Sequence, residues 1–252
     1  MASTSYERSG PAAVLTITRR ERRNAIDGQT AQGLLAGFRA FEADEDARVL
    51  IIAGEGPEAF CAGADLKAIE TIADLDSGPL GFTRLTASKP TVAAISGWCL
   101  AGGLELALWC DLRIATGDAQ LGFTERRFGV PLIDGGTQRL PRIVGQGRAL
   151  DMILTGRIVG AQEALQMGLV TELVDEGAHL DRALELAANI AAFPQDTMLG
   201  DRRSMLEGAG RPFSEGLALE RAIGTAVLHT TAVEGAGRFA SGEGRGGQGA
   251  GA

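Results

Sequence analysis

Aromatic residues are scarce in this 252-residue chain, with two Trp, one Tyr and nine Phe. So few ring faces leave little on which bases or sugars could stack, which counts against single-stranded nucleic-acid binding and against a glycosidase. Positive charge is also in deficit. Against 32 Asp+Glu the chain has 24 Lys+Arg, a net charge of −8, so it repels polyphosphate at long range and an anionic ligand must find a local positive site. Three cysteines, Cys61, Cys99 and Cys110, form no C-x-x-C pair. Their odd number, with no recognisable signal peptide, predicts core thiols in a reducing compartment, the cytoplasm. The two histidines, His179 and His229, belong to no H-E-x-x-H, and no G-x-S-x-G occurs, so zincins and serine hydrolases lose their usual signatures. One stretch, Val92 to Cys110, is apolar enough to raise the question of a membrane span. Ser96, Gly97, Gly102 and Gly103 interrupt it, and Glu105 would cost about 2.5–3.5 kcal/mol near a bilayer centre, so the stretch is assigned to a protein core.

What the chain does have is apolar substance and glycine: 45% hydrophobic residues, 22% charged, and 36 glycines. That is the composition of a globular protein able to bury a large core. Ala13 to Thr18 alternates and reads as a strand, Asp27 can cap a helix over Thr30 to Ala43, and Val49 to Ala53 is a continuous apolar run suited to a strand buried on both faces. Thr91 to Ile95, a helix over Gly102 to Cys110, and Leu112 to Ala115 repeat the strand–helix–strand scheme, a βαβ rhythm that predicts an α/β body. Beyond Gly147 helix signals dominate: Arg148 to Thr155, Ala161 to Met167, Leu180 to Ala192 and Phe213 to His229, with one further strand over Leu169 to Val174. The expected organisation is an α/β core over residues 1–175, a helical section over 176–241, and a disordered glycine-rich tail over 242–252.

Gly54 to Ala59 matches G-x-G-x-x-A after a strand, but Pro57 intrudes and no helix can begin before about Asp65, so a plain turn is the better reading than a dinucleotide site. Two other glycine-bearing loops, Cys61 to Leu66 and Leu100 to Glu105, are each expected to lead into a helix, whose first-turn N–H groups point outward. Two such loops on neighbouring strands could aim one N–H each at a single oxygen, the construction of an oxyanion hole; alternatively the glycines only permit close packing. Glu105 lies among Leu104, Leu106, Leu108 and Trp109, where an ionised carboxylate is costly unless paired or used. Glu125 follows a second apolar stretch, and two carboxylates in unlike surroundings can divide acid and base roles. A salt bridge from Glu125 to Arg126 or Arg127 is the competing reading. Arg19, Arg20, Arg22 and Arg23 cluster after the first strand as a local anchor for phosphate, with a solvated turn as the alternative for at least two of them.

Four segments, in this order and spacing, resemble the motifs of the crotonase superfamily, the enoyl-CoA hydratases and isomerases: Arg22 to Ile26, Ala59 to Lys67, Ser96 to Ala107, and Gly135 to Pro141. The resemblance runs closely from Ala13 to Val174. It implies an α/β fold, a crotonase-like spiral of ββα/βαβ units with a helical C-terminal section that mediates homotrimers, commonly paired into hexamers. It also implies an acyl-CoA substrate whose thioester oxygen sits between the N–H groups of Ala64 and Gly102, although Ala101 stands where the family's glycine triplet begins. Glu105 and Glu125 fall on the two catalytic glutamates of the hydratases. On that likeness Glu105 activates water for attack at the β-carbon of a trans-2-enoyl-CoA, Glu125 protonates the α-carbon, and no cofactor or metal is needed. Ala62, Ala64, Asp65, Leu66 and Gly102 match the CoA-binding segments, and Arg22 a position near the CoA phosphates.

Departures from the pattern keep other readings open. Asp134 puts an extra acid in the loop before Gly135 and is left unassigned; double-bond isomerisation with Asp134 taking part is the nearest rival. A relative's RNA-binding mode uses a lysine-rich first helix, but Thr30 to Ala43 offers Arg39 alone, so neither nucleic acid nor membrane is an expected partner. The tail after Arg238 to Gly242 dissolves into glycine, and Arg245 receives no role.

Overall fold

A computed structural model of the chain describes residues 3–242. It divides into two compact units, which meet in sequence between Ala187 and Ala188.

The first unit is built on a six-stranded sheet of order β1-β2-β3-β5-β7-β10. Its strands are β1 Thr4–Ser9, β2 Ala12–Ile17, β3 Val49–Gly54, β5 Thr91–Ile95, β7 Leu112–Thr116 and β10 Glu172–Val174. β1 pairs with β2 antiparallel and every other pairing is parallel. The continuous apolar runs at β3 and β5 are buried throughout, as strands covered on both faces must be. Helix α1, Gly28–Ala43, links β2 to β3 and buries Leu34, Phe38 and Phe41; Asp27 caps it by accepting the Thr30 N–H at 2.9 Å. The stretch from Val92 to Cys110 separates into β5, a three-residue strand β6 (Trp98–Leu100) and α2 (Gly102–Trp109), and none of the described helices is long and apolar enough to cross a membrane. The three cysteines are buried free thiols, and burial pushes Cys61 up to about 12.

A second, four-stranded sheet of order β4-β6-β8-β9 joins short strands β4 Ala59–Cys61, β6, β8 Gln120–Gly122 and β9 Ile158–Gly160. β4, β6 and β8 run parallel, with Cys61 opposite Cys99 and Leu100 opposite Gly122. Helices α3 (Gly136–Val144), α4 (Gln146–Thr155), α5 (Ala161–Gln166) and the start of α6 (His179–Ala192) complete this unit.

Two expectations require correction. No helix follows Cys61: Ala64 forms a parallel bridge with Ile26, and the Asp65 carboxylate accepts from the Lys67 N–H at 3.1 Å, which holds the chain extended and then turned until a single 3-10 turn at Ile69–Thr71. The strand expected over Leu169 to Val174 shortens to Glu172–Val174, because the Leu169 and Val170 amides are taken by the Ala164 carbonyl at the end of α5.

The second unit comprises the end of α6 with α7 (Gln195–Gly208), α8 (Phe213–Leu228) and α9 (Thr231–Ser241), and α7 to α9 pack on one another. Pro194 and Pro212 stand at the N-caps of α7 and α8, where the missing N–H removes no helical hydrogen bond. Met205, Phe213 and Val233 are exposed on this unit. The glycine-rich tail and Arg245 lie outside the described residues.

Candidate active site

Strands β4, β6 and β8 are neighbours and parallel, so their C-terminal ends open at one edge, and the chain leaves each through a loop that carries predicted site residues. After β4 comes Ala62 to Leu66. Ile26 donates to the Gly63 carbonyl and Asp65 donates back to Ile26, both at 2.8 Å. In an extended segment successive amides face opposite ways, so the Ala64 N–H between them points away from Ile26. After β6 comes Ala101, then α2. Gly102 is the first residue of that helix, a position whose N–H has no partner within the helix. Among the described residues neither the Ala64 nor the Gly102 N–H has a protein acceptor.

The two loops touch. A Cβ added at Gly63 would lie 2.9 Å from Gly102 N, and one added at Gly102 would lie 3.7 Å from Ala64 N. The next residue, Gly103, lets α2 start directly on β4, since a Cβ there would stand 2.1 Å from the Cys61 carbonyl oxygen. Ala101 turns the chain into the helix at φ +53°, ψ −128°, a conformation that strains any residue with a Cβ.

Glu105 projects from the first turn of α2 and is 3% exposed. Its Oε1 accepts two main-chain hydrogen bonds, from Asp134 N at 3.0 Å and from Gly136 N at 2.7 Å. Burial is the main reason its carboxyl is raised to about 7, helped by the nearby charges of Asp134 and Glu125 and opposed by the two amide donors. Glu125 sits in the 3-10 helix Thr124–Phe128 that follows β8, is 7% exposed, and neither carboxyl oxygen has a hydrogen-bond partner. Burial raises it as well. The anticipated salt bridge does not form: Arg126 donates to Ile153 O and Arg127 to Gly156 O.

One cleft is lined by Ala62, Ala64, Leu66, Gly102, Glu105 and Glu125. The stretch Ala68 to Ser88, where the sequence leads one to expect the acyl pocket, supplies part of the remaining wall, and only the part after Glu125 was missed by sequence reasoning. Ile69, Ile72, Pro79 and Leu80 come from that stretch and Phe128, Val130 and Ile133 from the segment after Glu125, an apolar surface with no periodic signal in the sequence. Asp134, unassigned in the sequence, is buried and lines the same cleft.

The arginine cluster divides. Arg19 pairs with Asp27 and Asp65, each at 3.0 Å, and donates to Ala25 O, while Arg20 pairs with Glu58. Asp65 is therefore buried against Arg19 and does not line the cleft, and it braces the segment that presents Ala64. Arg22 and Arg23 are exposed, and Arg22 does not line the cleft.

An enoyl-CoA hydratase/isomerase family model matches residues 7–243. The chain belongs to that family. It is 38% identical over 193 residues to a short-chain-enoyl-CoA hydratase of Clostridium acetobutylicum, covering 74% of each chain. To an (E)-benzylidenesuccinyl-CoA hydratase of Thauera aromatica it is 34% identical over 219 residues, covering 84% of this chain and 86% of the other. The crystal structure of the enoyl-CoA hydratase EchA1 from Mycobacterium marinum superposes with a TM-score of 0.90 at 32% identity, covering 96% of both chains. The fold is thus the α/β crotonase fold with a helical C-terminal region, as the four sequence motifs implied.

Proposed function

We propose that the protein is an enoyl-CoA hydratase, a hydro-lyase that adds water to a trans-2-enoyl-CoA to give a 3-hydroxyacyl-CoA. The observation that carries this reading is the shared cleft: the buried carboxyls of Glu105 and Glu125 and two main-chain amides without acceptors among the described residues line one apolar cavity. In this reading the thioester oxygen accepts from Ala64 N–H and Gly102 N–H, and these fixed donors stabilise the enolate that develops as water attacks, each donor being worth about 2.7–4 kcal/mol in comparable acyl chemistry. Hydration needs one proton taken and one delivered. Two amide donors favour the negative charge on Glu105, which orients water and removes its proton as oxygen bonds to the β-carbon. Glu125 is buried with neither carboxyl oxygen in a hydrogen bond and its carboxyl raised by burial, and in this reading it holds the proton that it delivers to the α-carbon. The CoA portion lies along Ala62 to Leu66, with Arg22 as an exposed cation for its phosphates. Assembly into homotrimers or hexamers through the second unit accords with its exposed Met205, Phe213 and Val233, and buried free thiols accord with a reducing cytoplasm.

Glu105→Gln and Glu125→Gln are each expected to abolish most turnover of crotonyl-CoA while leaving acyl-CoA binding nearly intact. Wild-type rates in both variants would remove the assignment. The isomerase reading draws on Asp134, a third carboxylate lining the cleft. Its Oδ1 is engaged by Leu80 N and Thr83 Oγ1, so hydration is preferred. Conversion of a 3-enoyl-CoA without water uptake, at a rate above that of hydration, would reverse the preference.

A further inference from the structure

Asp134 is 3% exposed, and its polar groups reach three separate parts of the chain. Through Oδ1 it accepts from Leu80 N at 3.1 Å and from the Thr83 hydroxyl, both more than fifty positions earlier in the sequence. Its own N–H donates to Glu105 Oε1 at 3.0 Å. Its carbonyl accepts from Arg139 Nη1 at 2.7 Å, and the other arm of that guanidinium donates to the Thr83 carbonyl at 2.5 Å. Thr83, Asp134 and Arg139 therefore close a partly buried ring. One edge of the ring carries Leu80, part of the apolar cleft wall, and the other carries the carboxylate of Glu105.

We propose that Asp134 is a positioning residue for Glu105: its carboxylate anchors the wall at Leu80 and Thr83, its amide holds the base, and wall and base are thereby placed as one piece. An asparagine would retain an acceptor at the Oδ1 position, so the anchoring depends on an acceptor there and the charge has a separate effect. The charged and titratable groups that face this pair are Glu125 on the Glu105 side, Arg139 from α3, and Arg84 from the wall. Asp134 is a like charge beside a buried carboxylate and opposes ionisation of Glu105, while the Arg139 guanidinium favours it. Removing the charge at position 134 with the acceptor kept lets Glu105 ionise at lower pH.

The proposal takes the role of Glu105 from the hydratase reading, but its test does not require turnover. Protein labelled with ¹³C at the glutamate δ-carbon is titrated by NMR, with the Glu105 signal assigned by its loss in Glu105→Gln. In Asp134→Asn the Glu105 midpoint is expected at lower pH than in the wild type; an unmoved midpoint overturns the charge coupling whether or not the protein hydrates crotonyl-CoA. With crotonyl-CoA as substrate, Asp134→Asn is expected to hold KM within about twofold. Asp134→Ala, which loses the anchor, is expected to raise KM and to lower kcat by on the order of tenfold to a hundredfold. Equal kinetics in the Asn and Ala variants would overturn the anchoring. Thr83→Val removes one donor at constant shape and keeps the wall testable should Asp134→Ala fail to fold; a KM unchanged in Thr83→Val would likewise count against it. A wild type inactive on every enoyl-CoA would sink the hydratase reading and leave the NMR result standing.

Discussion

The Gly136 amide donates to Glu105 Oε1 at 2.7 Å, and a Cβ placed at Gly136 would stand 3.0 Å from that same oxygen. The close approach of main chain to carboxylate leaves little room for a side chain. The same Cβ would meet the Phe123 ring at 2.9 Å, so an added methyl has to push aside the ring, the carboxylate or both.

Gly136→Ala is therefore expected to displace the Glu105 carboxyl, lowering kcat on crotonyl-CoA by about tenfold to a hundredfold. Overpacking against Phe123 is expected to cost about 1–3 kcal/mol of stability. Steady-state kinetics beside a thermal melt separates the two effects, and a variant that melts lower but turns over normally would contradict the positioning of Glu105 by this amide.

Activity should fall on the acid side as Glu105 takes up a proton, with kcat/KM declining below about pH 7. The stability consequence has the opposite sense. A carboxyl that titrates near 7 when folded and near 4.5 when unfolded favours the folded state most below pH 4.5, and that advantage is lost as pH rises to 7. Glu105→Gln escapes the loss. Denaturant unfolding is expected to show it more stable than the wild type above pH 7, by up to about 3 kcal/mol, with the gap closing towards pH 4.5. A gap independent of pH would contradict the raised value.

Ala101 holds φ +53°, ψ −128° with a methyl group in the way. Strain of this kind costs about 1–3 kcal/mol, part of which glycine would return as unfolded-chain entropy. Ala101→Gly is expected to raise Tm by about 2–4 °C. An unchanged or lower Tm would mean that the methyl's packing outweighs the strain.

Arg19 neutralises two carboxylates, Asp27 and Asp65, in largely buried surroundings. Removing it leaves both without their cation. Arg19→Met is expected to cost about 2–4 kcal/mol and to raise KM for acyl-CoA, because Asp65 braces the segment that presents Ala64. If instead binding weakened with stability intact, Arg19 would be a ligand contact.

The parts of the fold that could be read in the sequence are those whose residues answer to one local rule. β3 and β5 are unbroken apolar runs, and α1 has its Asp27 cap and a buried stripe. Glu105 was legible because a charge among leucines must be paired or used, and the structure gives it two amides. The second sheet was not legible. Its strands are three residues long, too short to display a period, and pairing across distant segments defines them. α3 received no assignment because two glycines and Pro141 mask its helix signal, yet the helix carries the proline inside it. The helix wrongly expected near Asp65 shows the converse: glycine-bearing loops look alike in sequence, and a bridge to Ile26 decides which one stays extended.

That bridge and the parallel ladder of β4, β6 and β8 hold Ala64, Gly102 and Glu125 by main-chain pairing, indifferent to most side-chain identities along the strands. Mutational drift in those strands can thus proceed, provided buried volume is kept, without disturbing the donor pair. New chemistry can be acquired by exchanging the acids at the loop ends alone, so one scaffold can host different reactions while the two main-chain donors stay fixed.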